Sequence, residues 1–219
     1  MNLLEIFKKY KTDKCIYHDY HIPYEENFEF MRNDNIKLLE IGVRDCNSLR
    51  SWKEYFSNGS IYGMDIDPSC EKFEKEGFNI IIGDQGNEED LRKFGDIKFD
   101  IIIDDGSHFT EHMISTFKFM FDNYLNPGGV YAIEDLGCSY IRQYGSTTST
   151  MSNPKGQSKN NLQINNRQDI VELIESIHNN MDIHNWTKGR EGYNLNGPVK
   201  KQYQRFVSYT DIFFVHKTL

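Results

Sequence analysis

The chain has 219 residues, which is enough for one large domain with a substantial core. Its formal net charge is −8 and its pI is about 5.4, so it lacks the basic field that nucleic-acid binding requires. No stretch approaches the ~20 apolar residues of a membrane-spanning helix, and the charged N-terminus does not resemble a signal peptide. The four cysteines have neither zinc-like nor disulfide-like spacing. We expect a cytoplasmic protein with no nucleic-acid partner and no membrane insertion.

Two short amphipathic helices are predicted near the N-terminus. Apolar residues at helical spacing predict helices over 3–10 and 24–32, joined by a polar, aromatic linker over 12–23. Tyrosines and histidines cluster over 17–24. This cluster is either a local packing nucleus or part of a functional site, and the sequence leaves both readings open.

Strands and helices then alternate along the chain. Strands are predicted over 37–43, 60–64, 79–82, 99–103 and 130–133, and helices over 48–56, 88–94 and 110–124. Ser48 is the predicted N-cap of the first of these helices. Two β-rich runs over 205–215 predict an antiparallel hairpin at the sheet edge. The pattern predicts an α/β fold, a Rossmann-like doubly wound, mostly parallel seven-stranded sheet with an antiparallel C-terminal strand and helices on both faces.

The segment between the last helix and the hairpin has a different composition. Residues 141–166 are polar and predict a mobile loop, residues 168–180 predict a helix, and residues 189–198 are irregular.

Acidic residues follow two of the predicted strands. Asp104 and Asp105 end the strand over 99–103, and Glu134 and Asp135 end the strand over 130–133. The carboxyl ends of parallel strands line one crevice, so these four acids should converge. Neighbouring carboxylates repel each other unless a cation or a proton lies among them. With His108 three residues beyond Asp105, the pattern predicts an enzyme with a Mg²⁺-type site beside a histidine base.

The ends of the first three strands suggest a nucleoside ligand. Glu40 and Gly42 lie at the turn where α/β proteins bind cofactors, but residues 45 and 46 are not glycine, which argues against a dinucleotide. Asp65 ends the second strand, where an acid can bind ribose hydroxyls. Asp84 and Gln85 follow the third strand, where they can reach an adenine amine. These acids predict an adenosine ligand without phosphate.

These motifs resemble those of class I S-adenosylmethionine-dependent methyltransferases. The resemblance is carried by Leu-Leu-Glu-Ile-Gly-Val (38–43), Tyr-Gly-Met-Asp-Ile-Asp-Pro (62–68), Gly-Asp-Gln (83–85), Ile-Ile-Asp-Asp-Gly-Ser-His (102–108) and Pro-Gly-Gly-Val-Tyr-Ala-Ile-Glu-Asp-Leu (127–136). More narrowly, the chain resembles the macrocin and mycinamicin sugar O-methyltransferases. Their N-terminal signature matches Thr12-Asp-Lys14 with His18, Tyr20 and Tyr24, and Phe-Phe-Val-His-Lys (213–217) is similar to their last strand.

The resemblance implies transfer of a methyl group from S-adenosylmethionine to a sugar hydroxyl, with Mg²⁺ or Mn²⁺ as the metal. It assigns the metal to Asp105, Glu134 and Asp135, and catalytic roles to Asp105 and to His108, the base. The cofactor contacts that we predict are Thr12, Lys14, Glu40, Gly42, Ser48, Asp65, Asp84, Gln85 and Asp104, the last near the methionine end.

The resemblance also bears on organisation and partners. We expect one methyltransferase domain over 1–219, with a helical lid segment over 1–35 and an acceptor-binding insertion over 141–205, and a homodimer or larger homo-oligomer. The Asn-, Lys- and Ile-rich composition does not suggest an actinomycete antibiotic producer. A nucleotide-linked or surface-polysaccharide sugar is therefore the favoured acceptor. The alternatives are a catechol-like or macrolide-glycoside acceptor and a non-catalytic adenosyl-binding module.

Overall fold

The computed structural model describes residues 1–140 and 203–219, together with Leu173, Ile174 and Ile177. Within these residues, seven strands form one sheet in the order β3-β2-β1-β4-β5-β7-β6. The strands are β1 (Lys37–Ile41), β2 (Ser60–Asp65), β3 (Asn79–Ile82), β4 (Phe99–Asp104), β5 (Leu125–Ile133), β6 (Tyr203–Ser208) and β7 (Phe213–Lys217).

The sheet is mostly parallel. Neighbouring strands from β3 to β5 pair in parallel, whereas β7 is antiparallel to both β5 and β6. The predicted mostly parallel sheet with an antiparallel C-terminal strand is therefore confirmed. The strand order reverses between β1 and β4, and a ligand crevice opens at such a point in doubly wound sheets.

Helices cover both faces of the sheet. They are α1 (Leu3–Tyr10), α2 (Asp13–Ile16), α3 (His21–Phe28), α4 (Asn47–Tyr55), α5 (Glu88–Leu91) and α6 (Thr110–Asn123), with 3₁₀ segments at Glu29–Met31, Pro68–Glu76, Arg92–Phe94 and Leu136–Tyr140. Because side chains alternate along a strand, β1 sends Leu38 into one apolar cluster and Leu39 into the other. Trp52 of α4 belongs to the first cluster and Phe117 of α6 to the second.

Aromatic packing fixes the N-terminal helices to the sheet. The ring of Tyr24 on α3 lies 4.9 Å from that of Trp52 and 5.5 Å from that of Phe214 on β7. Phe7 of α1 contacts Trp52 at a ring distance of 5.1 Å. Each ring is fully buried. α1 and α3 are therefore packed into the main core through these rings.

Several predicted boundaries were wrong. The predicted linker over 12–23 contains α2, because the Thr12 hydroxyl accepts a hydrogen bond from the Lys14 backbone and caps this helix. Ser48 is not the N-cap of α4, since that helix begins at Asn47 and its N-cap is Cys46, which is left-handed at φ 66°. β5 begins at Leu125, five residues before the strand predicted over 130–133, with a register shift against β4.

The predictions for 141–166 and 189–198 lie outside the described residues, as does most of the proposed insertion over 141–205. Of the helix predicted over 168–180, Leu173, Ile174 and Ile177 are described, and all three are helical. Leu173 and Ile177 are buried in the cluster that contains Phe117. No described helix has the length and apolar character needed to cross a membrane.

We expect His216 on β7 to make stability depend on pH. Burial, with a smaller effect of Arg205, lowers the pKa of His216 from 6.5 to about 4, and its Nε2 lies 3.0 Å from Asn27 Oδ1. The folded state therefore binds fewer protons than the unfolded state between these pH values, and stability falls as the pH falls. Protonation of His216 should lower the free energy of unfolding of the wild type by up to about 3 kcal/mol between pH 7 and pH 4.

The variant His216→Gln has no titrating group at this position. Its free energy of unfolding should therefore not show this part of the decrease between pH 7 and pH 4. Urea unfolding of both proteins at pH 7 and pH 4 measures the difference. Equal losses in the two proteins would contradict the assignment.

Candidate active site

A cavity of about 360 Å³ opens at the carboxyl ends of β1 to β4, where the strand order reverses. Its walls come from the loops after these strands and from residues 12, 13 and 135. Six of the residues predicted to bind the cofactor line it: Thr12, Gly42, Ser48, Asp65, Asp84 and Gln85. Asp105, His108 and Asp135 line it as well.

The loop after β1 packs against the loop after β4 at Gly42. The φ angle of Gly42 is +98°, and a Cβ atom there would lie 2.1 Å from the backbone oxygen of Asp105. Only glycine permits this approach. Asp65 holds the same loop from β2, because its Oδ2 accepts hydrogen bonds from the backbone N–H groups of Val43 and Arg44, each at 2.8 Å.

Gln85 ties the loop after β3 to the loop after β4. Its Oε1 accepts a hydrogen bond from the Ser107 backbone at 2.6 Å, and its Nε2 donates to Asp104 Oδ1 at 2.9 Å. Asp104, which was predicted to lie near the methionine end of the cofactor, is buried and lies outside the cavity lining. Burial raises the pKa of Asp104 to about 6, while the Gln85 hydrogen bond opposes the shift. Asp104 therefore orients Gln85.

Lys14, another predicted cofactor contact, is buried among carboxylates. Its side chain is 1% exposed, and its Nζ lies 2.5 Å from Glu134 Oε1, 2.6 Å from Asp105 Oδ2 and 3.1 Å from Glu40 Oε1. Neither Lys14 nor the fully buried Glu40 lines the cavity. Burial lowers the pKa of Lys14, but attraction to Asp105, Glu134 and Glu40 outweighs it, so the pKa is well above its usual value. The ammonium is charged at neutral pH.

The residues predicted to hold a metal divide into two positions. Asp105, His108 and Asp135 face the cavity, and each can offer one ligand atom within 4.8 Å of the others. Glu134 lies behind the cavity wall, where its Oε1 accepts hydrogen bonds from Lys14 and Tyr24. Oε1 of Glu134 is therefore already bound by two donors. Carboxylate oxygens with a nearby imidazole fit a divalent cation such as Mg²⁺ or Mn²⁺.

Two of the cavity residues have an unusual backbone. His108 has a φ angle of 57° and Asp135 a φ angle of 56°, both in the left-handed region. Such a conformation costs roughly 1–3 kcal/mol for a residue other than glycine, and it is concentrated at functional sites. The strain supports a functional role for both residues.

Side chains from the N-terminal segment cover the acids. The Tyr20 hydroxyl donates to Asp135 Oδ1 at 2.9 Å, and the Tyr24 hydroxyl donates to Glu134 Oε1. His18 Nε2 lies 3.8 Å from Asp135 Oδ1. Both readings of the 17–24 cluster therefore apply, because Tyr24 packs in the core with its ring and reaches the acids with its hydroxyl. The density of tyrosine and histidine was the sequence signal for these contacts.

Comparison with known proteins identifies relatives of one kind. No family model matches the chain. The chain is 37% identical over 141 residues to 8-demethyl-8-alpha-L-rhamnosyl tetracenomycin-C 2'-O-methyltransferase of Streptomyces olivaceus, covering 60% of this chain and 37% of that protein. It is 37% identical over 158 residues to mycinamicin VI 2''-O-methyltransferase of Micromonospora griseorubida, covering 66% of this chain and 38% of that protein. The chain thus spans less than half the length of these relatives.

The fold matches a solved sugar methyltransferase. MycE methyltransferase from the mycinamycin biosynthetic pathway, in complex with Mg, SAH and mycinamycin VI, superposes with a TM-score of 0.76 at 29% identity. The match covers 100% of this chain and 54% of that protein. The resemblance to the macrocin and mycinamicin sugar O-methyltransferases is therefore confirmed, and the fold is that of class I methyltransferases.

We expect Gly42→Ala to destabilise the protein more than Gly77→Ala. Both glycines have positive φ angles, but a Cβ at Gly77 would meet nothing within 4 Å. Gly77→Ala should cost about 1 kcal/mol from its backbone conformation alone. Gly42→Ala adds a steric overlap and should cost roughly 3 kcal/mol or more. Urea unfolding measures both costs, and equal values would contradict the close packing of the two loops.

Proposed function

We propose that this chain transfers a methyl group from S-adenosylmethionine to a sugar hydroxyl in a reaction that requires Mg²⁺ or Mn²⁺. The observation that carries the proposal is that Asp105, His108 and Asp135 meet in a cavity whose wall also contains Asp65 and Asp84. The sugar O-methyltransferase relatives and the fold of MycE, which was solved with Mg and SAH, support it.

The cavity wall suits an adenosyl ligand. Asp65 can accept hydrogen bonds from ribose hydroxyls, although its carboxylate already binds the loop after β1. The amide of Gln85 is occupied by Ser107 and Asp104, so Asp84 is the better candidate for contact with the adenine amine. Gly42 allows the ligand to approach the backbone closely.

The cavity acids and histidine have distinct roles in the proposed reaction. S-Adenosylmethionine would supply the methyl group, and a divalent cation would stabilise the negative charge that develops on the acceptor oxygen. Asp105, Glu134 and Asp135 would hold that cation. His108 takes the hydroxyl proton as the oxygen–methyl bond forms and the carbon–sulfur bond breaks with its electron pair on sulfur. Asp135 Oδ2, 3.7 Å from His108 Nε2, stabilises the resulting imidazolium.

Within the sugar class, we favour a nucleotide-linked or surface-polysaccharide sugar. The support is compositional, since the Asn-, Lys- and Ile-rich chain differs from the composition expected of an actinomycete. A macrolide or polyketide glycoside is the other candidate, because the relatives of Streptomyces and Micromonospora are named for such substrates. A catechol also offers two adjacent oxygens and belongs in any acceptor panel.

The proposed assembly is a homodimer or larger homo-oligomer. Large apolar side chains are exposed on the N-terminal segment at Ile16, Tyr17, Ile22 and Phe30, and they could contribute to an interface. Light scattering of the purified chain measures its mass in solution.

We expect S-adenosylhomocysteine to bind the purified chain with micromolar affinity or better. Calorimetric titration with and without Mg²⁺, in the presence of nucleotide sugars, glycosides and catechols, measures this affinity. An acceptor whose binding tightens with Mg²⁺ identifies the acceptor class. Tight cofactor binding with no turnover of any acceptor would favour a non-catalytic adenosyl-binding module, and no binding under any condition would remove the cofactor assignment.

We expect Asp105→Asn to reduce kcat by roughly 100-fold or more, because it removes a charged group from the reacting centre. Asp104→Asn is the matched neighbour and should act mainly on stability, since Asp104 lies outside the cavity and holds Gln85. Methyl-transfer assays and thermal unfolding of both variants separate the two effects. Full turnover by metal-free protein in EDTA would contradict the metal requirement.

A further inference from the structure

Lys14 occupies a position that the proposed reaction does not explain. Its ammonium lies behind the cavity wall, within 3.1 Å of oxygens from Glu40, Asp105 and Glu134. These three carboxylates can each place an oxygen within 4.8 Å of the others. In the described part of the chain, Lys14 is the only lysine or arginine that pairs with any of them. It is too deeply buried to touch a ligand in the cavity.

Two buried carboxylates and a partly exposed one at this spacing need a positive charge to stay close together. Without Lys14, repulsion between the carboxylates would drive the acids apart. With Lys14 present, Asp105 and Glu134 keep a fixed position next to the cavity.

The contacts are selective at the level of single oxygens. Lys14 binds Oδ2 of Asp105 and Oε1 of Glu134, so one oxygen of each carboxylate is not bound by the ammonium. The backbone of Lys14 is held in turn by the Thr12 hydroxyl, which caps α2. Thr12 itself lines the cavity.

We propose that Lys14 is a positioning residue that acts as a built-in cation, holding the carboxylates of Asp105 and Glu134 together before a divalent cation binds. The inference rests on the proposed metal-dependent function. It assigns to α2 the task of assembling the metal site, in addition to its place in the fold.

The test compares thermal unfolding of wild type, Lys14→Met and Tyr24→Phe, each in EDTA and in millimolar Mg²⁺. Tyr24→Phe is the matched control, because Tyr24 donates to the same Glu134 oxygen but carries no charge. In EDTA, Lys14→Met should lower Tm by about 10 °C and Tyr24→Phe by about 5 °C. Mg²⁺ should recover roughly half of the Lys14→Met deficit but little of the Tyr24→Phe deficit, since only the former lacks a positive charge.

A double variant makes the test independent of packing. Lys14→Met/Glu40→Gln removes one negative charge together with the positive one, so it should be more stable in EDTA than Lys14→Met alone. If Lys14→Met does not fold in EDTA, the double variant still measures the effect of charge. A double variant no more stable than the single one, or a deficit that Mg²⁺ does not reduce, would overturn the inference.

The two levels of the proposal fail differently. If Mg²⁺ neither binds to the wild type by calorimetry nor raises its Tm, the metal-dependent function fails, whatever the variants do. If the wild type binds Mg²⁺ and Lys14→Met behaves like Tyr24→Phe, only the role of Lys14 fails.

Discussion

The rest of the site depends on one interaction, the contact of three carboxylates with the ammonium of Lys14. Glu40 lies in β1, and Asp105 and Glu134 follow β4 and β5, so the sheet order β1-β4-β5 brings the three acids together. A parallel sheet alone cannot neutralise them. Lys14 does so from a segment that precedes the sheet in sequence and packs across its edge. The N-terminal helices are thus required by the electrostatics of the site as well as by the core.

Packing and charge support each other at Tyr24. Its ring packs against Trp52 and Phe214, and its hydroxyl binds the Glu134 oxygen that Lys14 also binds. Burial of the ring holds α3 on the sheet, which keeps the N-terminal segment close to the acids. The same burial removes water from Glu134 and makes its hydrogen bonds stronger than they would be at the surface. A loss of packing here would therefore also weaken the site.

The features that were predictable from the sequence are those that depend on local pattern. Apolar strands alternate with helices along the chain, and acids follow the strands. This pattern predicted that Asp65, Asp84 and Asp105 lie at one edge of a parallel sheet, and all three line the cavity. The place of Asp104 outside the cavity lining follows from strand geometry, because the side chains of successive strand residues point to opposite faces. The position of Lys14 had no local signal, since two of its three partners lie 91 and 120 residues away along the chain.

Asp105 joins two environments that would otherwise be separate. One of its oxygens binds the Lys14 ammonium in the buried layer, and its carboxylate also borders the cavity with His108 and Asp135. A divalent cation in the cavity would share this carboxylate with Lys14. Each of the two cations would then neutralise part of the negative charge, which leaves less for the other. Lys14 lies in α2, and its ammonium binds the carboxylate that a metal in the cavity would also bind. The position of the N-terminal segment and the geometry of the metal ligands therefore depend on each other. Mg²⁺ and the Lys14 ammonium should therefore partly replace each other in neutralising the carboxylates, so the metal stabilises the protein most where Lys14 is absent.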